Sequence, residues 1–190
     1  MTIDGFARLH ADAVAVLNEW SPNDAALDAV RLDYLAFLAE HPDAMSRSCI
    51  GGHLTASAIV LDENRERVLL TLHPKAGRWL QLGGHCEADD VSLREAARRE
   101  VIEESGIADV DISGQPIHVD RHPITCTGGP SEHLDVQYLA IVAADAQEVI
   151  SDESDDLRWF PVDDLPDGLD ESVLAMIDIA LRGRAGLSGG

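Results

Sequence analysis

Residues 83–107 read GGHCEADDVSLREAARREVIEESGI, and the last nine, Arg99 to Ile107, set Glu100, Glu103 and Glu104 within a single helical turn. Ser92 followed by Glu95 forms the S-x-x-E pattern that opens a helix, and Gly106 stands where a left-handed residue closes one. A helix is therefore expected from about Ser92 to Ser105. Like charges four residues apart weaken a helix, and negative charge at its C-terminal end opposes the dipole. At about 100° per residue, Leu93, Ala96, Ala97, Glu100, Glu103 and Glu104 share one arc, and Arg94, Glu95 and Arg98 take the other side. The glutamates thus continue the apolar stripe, whereas charged residues ordinarily form the solvated face.

Converging carboxylates need a counter-charge. Arg99 reaches Glu103 at i+4, but one guanidinium cannot neutralise three acids. A hard divalent cation with oxygen ligands can. Gly83 and Gly84, just upstream, carry no side chain, so backbone there can approach closely and offer a carbonyl to the same ion. The residues alone point to a Mg²⁺ or Mn²⁺ site.

Outward from this helix, the period of the apolar residues changes along the chain. Residues 3–20 and 24–40 read as amphipathic helices, the second opening at SPND and carrying Leu27, Val30, Leu35 and Leu38 at helical spacing. EHPDAMSRSCIGG breaks the pattern near residue 50. LTASAIVLD and RVLLTLH read as strands joined by DENRE, and GRWLQLGGHCEADD as a short strand and loop. QPIHVDRHP and HLDVQYLAIVA read as strands around the loop ITCTGGPSE, DDLRWFPVDDLP as a last strand and turn, and DESVLAMIDIALRG as a C-terminal helix. Strands interspersed with helices imply a layered α/β domain.

The formal net charge of −21 opposes non-specific binding to nucleic acid or to an anionic membrane surface. A phosphorylated substrate stays compatible if bound cations or local Arg and Lys reverse the field. Three widely spaced cysteines without a CxxC pair suggest neither a disulfide framework nor structural zinc. With no secretory pattern and no apolar run of spanning length, a cytoplasmic protein is expected.

Six of the eight histidines lie between His53 and His133. His118, Asp120 and His122 alternate, as do His133, Asp135 and Gln137, so each trio shares one face of its strand. If the strands pair, imidazoles and carboxylates form one polar face. That face serves substrate recognition or a second metal; otherwise it is a solvated strand side, or histidines satisfied by Asp. Arg78 and Trp79 could touch phosphate or base, although Trp79 fits a core position better.

Residues 83–107 also resemble the Nudix box, G-x5-E-x7-R-E-U-x-E-E-x-G-U with U aliphatic. Arg99 to Ile107 match every defined position. Asp90 stands where the family usually has Glu, and eight residues rather than seven separate it from Arg99, as a longer loop before Ser92 would require. TASAIVLDENRERVLLTL, GRWLQLGGH and LRWFPVDDLP sit where the family has its first hairpin, its strand before the box and its final strand-turn. The chain is most similar to actinobacterial-type Nudix hydrolases with GGHxE, HxDxHP and a helical N-terminal extension.

The resemblance implies an α/β/α sandwich with a mixed sheet: a helical extension at 1–48, the hydrolase domain at 49–184 and a disordered tail at 185–190. It implies a pyrophosphohydrolase that cleaves a nucleoside diphosphate linked to another group. Glu100, Glu103 and Glu104 would bind Mg²⁺, the Gly84 carbonyl would be a further ligand, and Arg99 would orient the glutamates. Glu103 is the favoured base, with Glu100, Glu132 and Glu153 as alternatives. Arg78, His118, Asp120, His122 and His133 are the expected substrate contacts. Two other readings are a hydrolase of (deoxy)nucleoside triphosphates and a nucleotide-sensing module without cleavage. Degenerate modules usually lose a metal-site glutamate, and this chain keeps all three. The N-terminal helices are available to cover a sheet edge, form a dimer contact or lid the substrate site, and a homodimer is expected.

Overall fold

The structure, a computed structural model, describes residues 6–126, 129–151 and 154–182. Glu153 and the tail expected at 185–190 lie outside the described residues. In chain order the elements are α1 (Ala7–Glu19), α2 (Ala25–Glu40), β1 (His53–Asp62), β2 (Arg67–His73), β3 (Arg78–Leu80), β4 (Leu82–His85), α3 (Leu93–Ser105), β5 (Asp111–Ile112), β6 (His118–Cys126), β7 (Gly129–Val142), β8 (Asp156–Pro161) and α4 (Glu171–Arg182). No described helix is long and apolar enough to cross a membrane.

All eight strands join one mixed sheet built around β1. Along its whole length β1 pairs in parallel with β7, from His53 opposite His133 to Asp62 opposite Val142. Its other edge is shared antiparallel between β4 at the N-terminal half and β2 at the C-terminal half. β6 pairs with β7, placing His118 opposite Gln137, Asp120 opposite Asp135 and His122 opposite His133. The two alternating polar trios therefore do share one face.

Alternation along β1 builds the two sides of the sheet. Leu54, Ala56, Ala58 and Val60 join a core with Leu9, Leu17, Tyr34, Leu38, Leu93 and Ala97 from α1, α2 and α3. Ile59 and Leu61 join a second core with Val173, Met176, Ile177 and Ala180 from α4. The result is the expected α/β/α sandwich. On the α4 side the strands change character along their length: His53, Thr55 and Ser57 precede Ile59 and Leu61, so α4 covers the apolar half and a polar half extends beyond it.

Three local expectations need correction. The loop ITCTGGPSE is mostly strand, because β6 runs to Cys126 and β7 begins at Gly129, with ladder pairing up to that point. GRWLQLGGH gives two strands, β3 on β2 and β4 on β1. The two-residue β5 was not anticipated, being held by β7 rather than by any pattern of its own.

Of the places open to the N-terminal helices, α2 takes the sheet edge beside β6: the Tyr34 hydroxyl donates to the Asp120 carbonyl at 2.6 Å. α1 grips the start of α3. The Leu93 amide donates to Asp12 Oδ2 at 2.8 Å, and Arg8 donates to the carbonyl of Asp90 at 3.2 Å. Ser92 caps the same helix as expected, accepting from the Glu95 amide at 3.1 Å. An amide at a helix start has no partner within the helix, so Asp12 acts as a second cap supplied from 81 residues away. Asp12→Ala is expected to cost about 1 kcal/mol, the usual worth of a cap. The check is chemical denaturation, with an unchanged midpoint counting against the capping role.

Candidate metal and substrate site

Gly106 ends α3 in the left-handed region at φ 69°, and this fixes where the glutamates stop. Leu93, Ala96, Ala97, Glu100, Val101 and Ser105 are the buried face of the helix. Glu100 therefore lies on the packed stripe as expected, Glu104 is half-buried, and Glu103 is exposed at the rim. Arg94 and Arg98, on the other side, donate to the carbonyls of Ile112 and Val110 and tie α3 to the segment around β5.

Arg99 organises the site. Its Nε and Nη2 donate to the two carboxylate oxygens of Asp90, each at 3.0 Å. Nη1 donates to both Glu100 and Glu103 at 2.9 Å, and Nη2 also reaches the His85 carbonyl at 3.0 Å. The parallel fork on Asp90 is the strongest geometry available to this pair. Asp90 is itself buried, and its Oδ2 accepts from the Glu87 amide at 2.7 Å. The longer loop thus still delivers an acid to Arg99, and Asp90 is the support that orients it. Hydrogen bonding to Asp90 is the main reason the Arg99 guanidinium is held even more firmly protonated than usual.

Gly84 faces this helix end so closely that a Cβ there would lie 2.7 Å from Glu100 Oε2. Only glycine lets β4 take the carboxylate at that distance. The donors gathered here are carboxylates and main-chain carbonyls, all hard oxygens, and the Arg99 guanidinium is hydrogen-bonded to Asp90, Glu100 and Glu103. This donor set suits a Mg²⁺-class ion. Glu132 is held by Arg121, whose Nε donates to it at 2.8 Å.

The residues expected to meet substrate separate into three groups. Arg78, Asp120 and His122 line a cleft of about 240 Å³ on the α4 side, with Gln81, Asp170 and Ser172. Arg78 donates to Asp170 at 2.8 Å, and His122 Nδ1 lies 2.7 Å from Asp120 Oδ2, a bond that raises the imidazole pKa. His118 is bound to Gln137, at 2.7 Å. His133 leaves the cleft and packs against His53 and His85. Trp79 packs edge-on against Phe160 in the core beneath α4, as its core reading required.

Between these groups, buried Asp135 accepts from Thr55 at 2.9 Å, Ser57 at 2.6 Å, Gln137 at 2.9 Å and Gln81 at 3.2 Å. A fully hydrogen-bonded buried carboxylate of this kind rigidifies the floor of the cleft. The sequence reading did not single out His53, His85 or Gln81. A signal existed for the first, since His53, Thr55 and Ser57 alternate into one face before the strand turns apolar.

Burial, reinforced by the surrounding imidazoles, holds His133 down to about 3; burial, with Arg47 and His53, holds His85 down to about 4. The unfolded chain takes up these protons near 6.5, so between that pH and the folded values it binds more protons than the native state. Stability contributed by these neutral imidazoles is thus complete above 6.5 and lost as the pH falls. His122 works the other way, contributing most below 6.5 and losing its contribution as the pH rises through its elevated value. For metal-free protein the melting temperature is expected to fall from about pH 6.5 towards pH 4, with His133→Asn flattening the upper part of the slope. A parent profile that is flat there would contradict the burial of neutral imidazoles.

Carboxylates at a helix end, seated on a glycine strand of a sheet between helical layers, form a hard-oxygen donor set of the kind that suits a divalent cation. The NUDIX domain family matches residues 51–178, and the chain belongs to the Nudix family as a pyrophosphohydrolase. It is 34% identical over 113 residues to the zebrafish (Danio rerio) oxidized purine nucleoside triphosphate hydrolase, covering 57% of this chain and 67% of that one. Among solved structures, a NUDIX-family hydrolase from Clostridium perfringens superposes with TM-score 0.55 and 27% identity, over 68% of this chain and 97% of the other. The NUDIX domain of Shewanella oneidensis NrtR, solved with ADP ribose, superposes with TM-score 0.54 at 24% identity, over 73% and 92%, a likeness of fold.

Proposed function

We propose that this chain hydrolyses the diphosphate linkage of a nucleoside diphosphate joined to another group, using Mg²⁺ or Mn²⁺. The observation that carries the reading is the Arg99 network, which seats Glu100 on Gly84 and keeps Glu103 at the exposed rim. Glu100, Glu103, Glu104 and the Gly84 carbonyl would hold the ion. When bound, it supplies neutralisation of phosphate charge and a lowered pKa for a water. Glu103, the most accessible of the carboxylates joined to Arg99, accepts the proton of that attacking water. Arg99 fixes the carboxylates before substrate arrives, so little reorganisation accompanies the reaction. On the opposite face, Arg78, Gln81, Asp120, His122 and Ser172 present both donors and acceptors, as recognition of a nucleotide's polar edges requires.

A nucleoside triphosphate is the second reading for the substrate, favoured by the zebrafish relative's name. Release of phosphate or nucleotide from oxidised and unmodified purine triphosphates, ADP-ribose and diadenosine tetraphosphate, with Mg²⁺, Mn²⁺ or chelator, tests both. Turnover of at least one of them that chelator abolishes is the expected outcome. Tight nucleotide binding with no turnover in either metal would instead make the chain a sensing module.

A further inference from the structure

On the α4 face of the sheet, four adjacent strands each contribute one imidazole to a row. His85 on β4 stands opposite Thr55, His53 on β1 opposite His133 on β7, and His133 opposite His122 on β6. The rings of His53 and His85 stack at 5.0 Å, and His133 meets them edge-on at 4.9 and 5.0 Å. His53 is buried, yet neither of its ring nitrogens has a hydrogen-bond partner among the described residues, and neither does His133 Nε2. Buried polar atoms are nearly always hydrogen-bonded, and an apolar side chain would fill the same space without that cost. A ligand that takes lone pairs from several imidazoles at once removes the anomaly.

We infer that His53, His85 and His133 form a second metal site, distinct from the glutamate site, for a borderline transition ion of the Zn²⁺ class. Imidazole nitrogen is the donor such ions favour, whereas Mg²⁺ requires oxygen. One ligand atom from each residue already lies within 4.8 Å of the others. A tetrahedral ion with Zn–N of about 2.0–2.1 Å needs nitrogens about 3.3 Å apart, so the three converge by side-chain adjustment on a fixed backbone. His85 and His133 are partly exposed and give the ion its way in. Next in the row, His122 lies 5.3 Å from His133, ring to ring, and is oriented by Asp120, the carboxylate–histidine pairing that commonly supports zinc ligands.

The ion would tie β4 to β1 and β7 one residue beyond Gly84, on the side of the strand away from Glu100. Two chemically different cations would then grip opposite faces of one short strand. The site stands whether or not the glutamate site cleaves nucleotides.

The test uses the full-length protein, stripped with chelator and titrated with Zn²⁺ and with Co²⁺, reading bound metal per chain, the visible spectrum of Co²⁺ and the melting temperature. Expected are one tightly held Zn²⁺ per chain, an intense tetrahedral Co²⁺ spectrum, and a rise in melting temperature on adding Zn²⁺. His133→Gln and His85→Asn should each weaken Zn²⁺ binding at least tenfold and remove the Co²⁺ spectrum. These are the primary variants, because His53→Ala lies deeper and can fail to fold. His41, Asp43 and Cys49 form another group within metal-binding reach, and burial lifts the Cys49 thiol to about 12, which disfavours the thiolate. Cys49→Ser and Glu103→Gln should therefore both leave the Zn²⁺ affinity unchanged. No retained Zn²⁺, binding indifferent to His133→Gln and His85→Asn, or binding lost in Cys49→Ser or Glu103→Gln would each overturn the inference.

Discussion

Replacing Glu103 by glutamine is expected to lower Mg²⁺-dependent turnover by about 10²- to 10⁴-fold, the usual contribution of a general base. Glu103 shares Arg99 Nη1 with Glu100. Its side chain is 56% exposed, against 11% for Glu100, so among the two it is the one that water can approach freely. Glutamine has the same shape and still offers Arg99 an acceptor, so the fold and the position of Glu100 should persist. What disappears is the ability to take a proton. Loss of a metal ligand would be recoverable at saturating Mg²⁺, whereas loss of the base would not. Steady-state kinetics of Glu103→Gln across a wide Mg²⁺ range separate the two. Turnover within a few-fold of the parent would remove Glu103 from this role and direct attention to Glu100 or to Glu132.

The second large effect belongs to Arg99→Ala. Five hydrogen bonds among the described residues converge on this side chain: the fork on Asp90, one bond each to Glu100 and Glu103, and one to the His85 carbonyl. Asp90 is buried, and stripping the partner from a buried charge costs about 3–5 kcal/mol. At about 2–4 °C per kcal/mol for a chain of this size, the melting temperature should drop by roughly 10 °C. Lysine carries the charge but cannot fork, so Arg99→Lys should recover only part of the loss. Because the alanine variant leaves the carboxylates facing one another without their cation, Mg²⁺ should raise its melting temperature more than the parent's. A metal-free melting temperature within about 2 °C of the parent's would show that the fork contributes little.

Features set by neighbours in sequence were the legible ones. Ser92 and Gly106 delimit α3 through local capping chemistry, and the Arg99–Ile107 pattern located the carboxylate-bearing end of that helix without reference to anything distant. Alternation in HVDRH and HLDVQ also read correctly, because the side-chain period of a strand is a local property. Less visible were the features set by register. The parallel pairing of β1 with β7 joins residues about eighty apart and is what brings His53 to His133. Placement of β4 on β1 then adds His85. Nothing in the neighbourhood of any one of these histidines announces the other two. Glu103 marks a different limit. The helical arc put it among the packed positions, but the buried stripe runs through Glu100 and Val101 to Ser105, leaving Glu103 at the edge. That edge is where a proton acceptor is most useful.

The second cap on α3 has a consequence for how this chain comes apart. Asp12 and Arg8 both bind the segment that opens α3, so fraying of α1 removes an acceptor from the Leu93 amide and a donor from the Asp90 carbonyl together. Asp90 in turn positions Arg99, which positions the glutamates. The N-terminal helix is thus coupled to the site through these hydrogen bonds, and a chain beginning at residue 49 would carry every proposed metal ligand yet lack part of the scaffold that keeps them aligned.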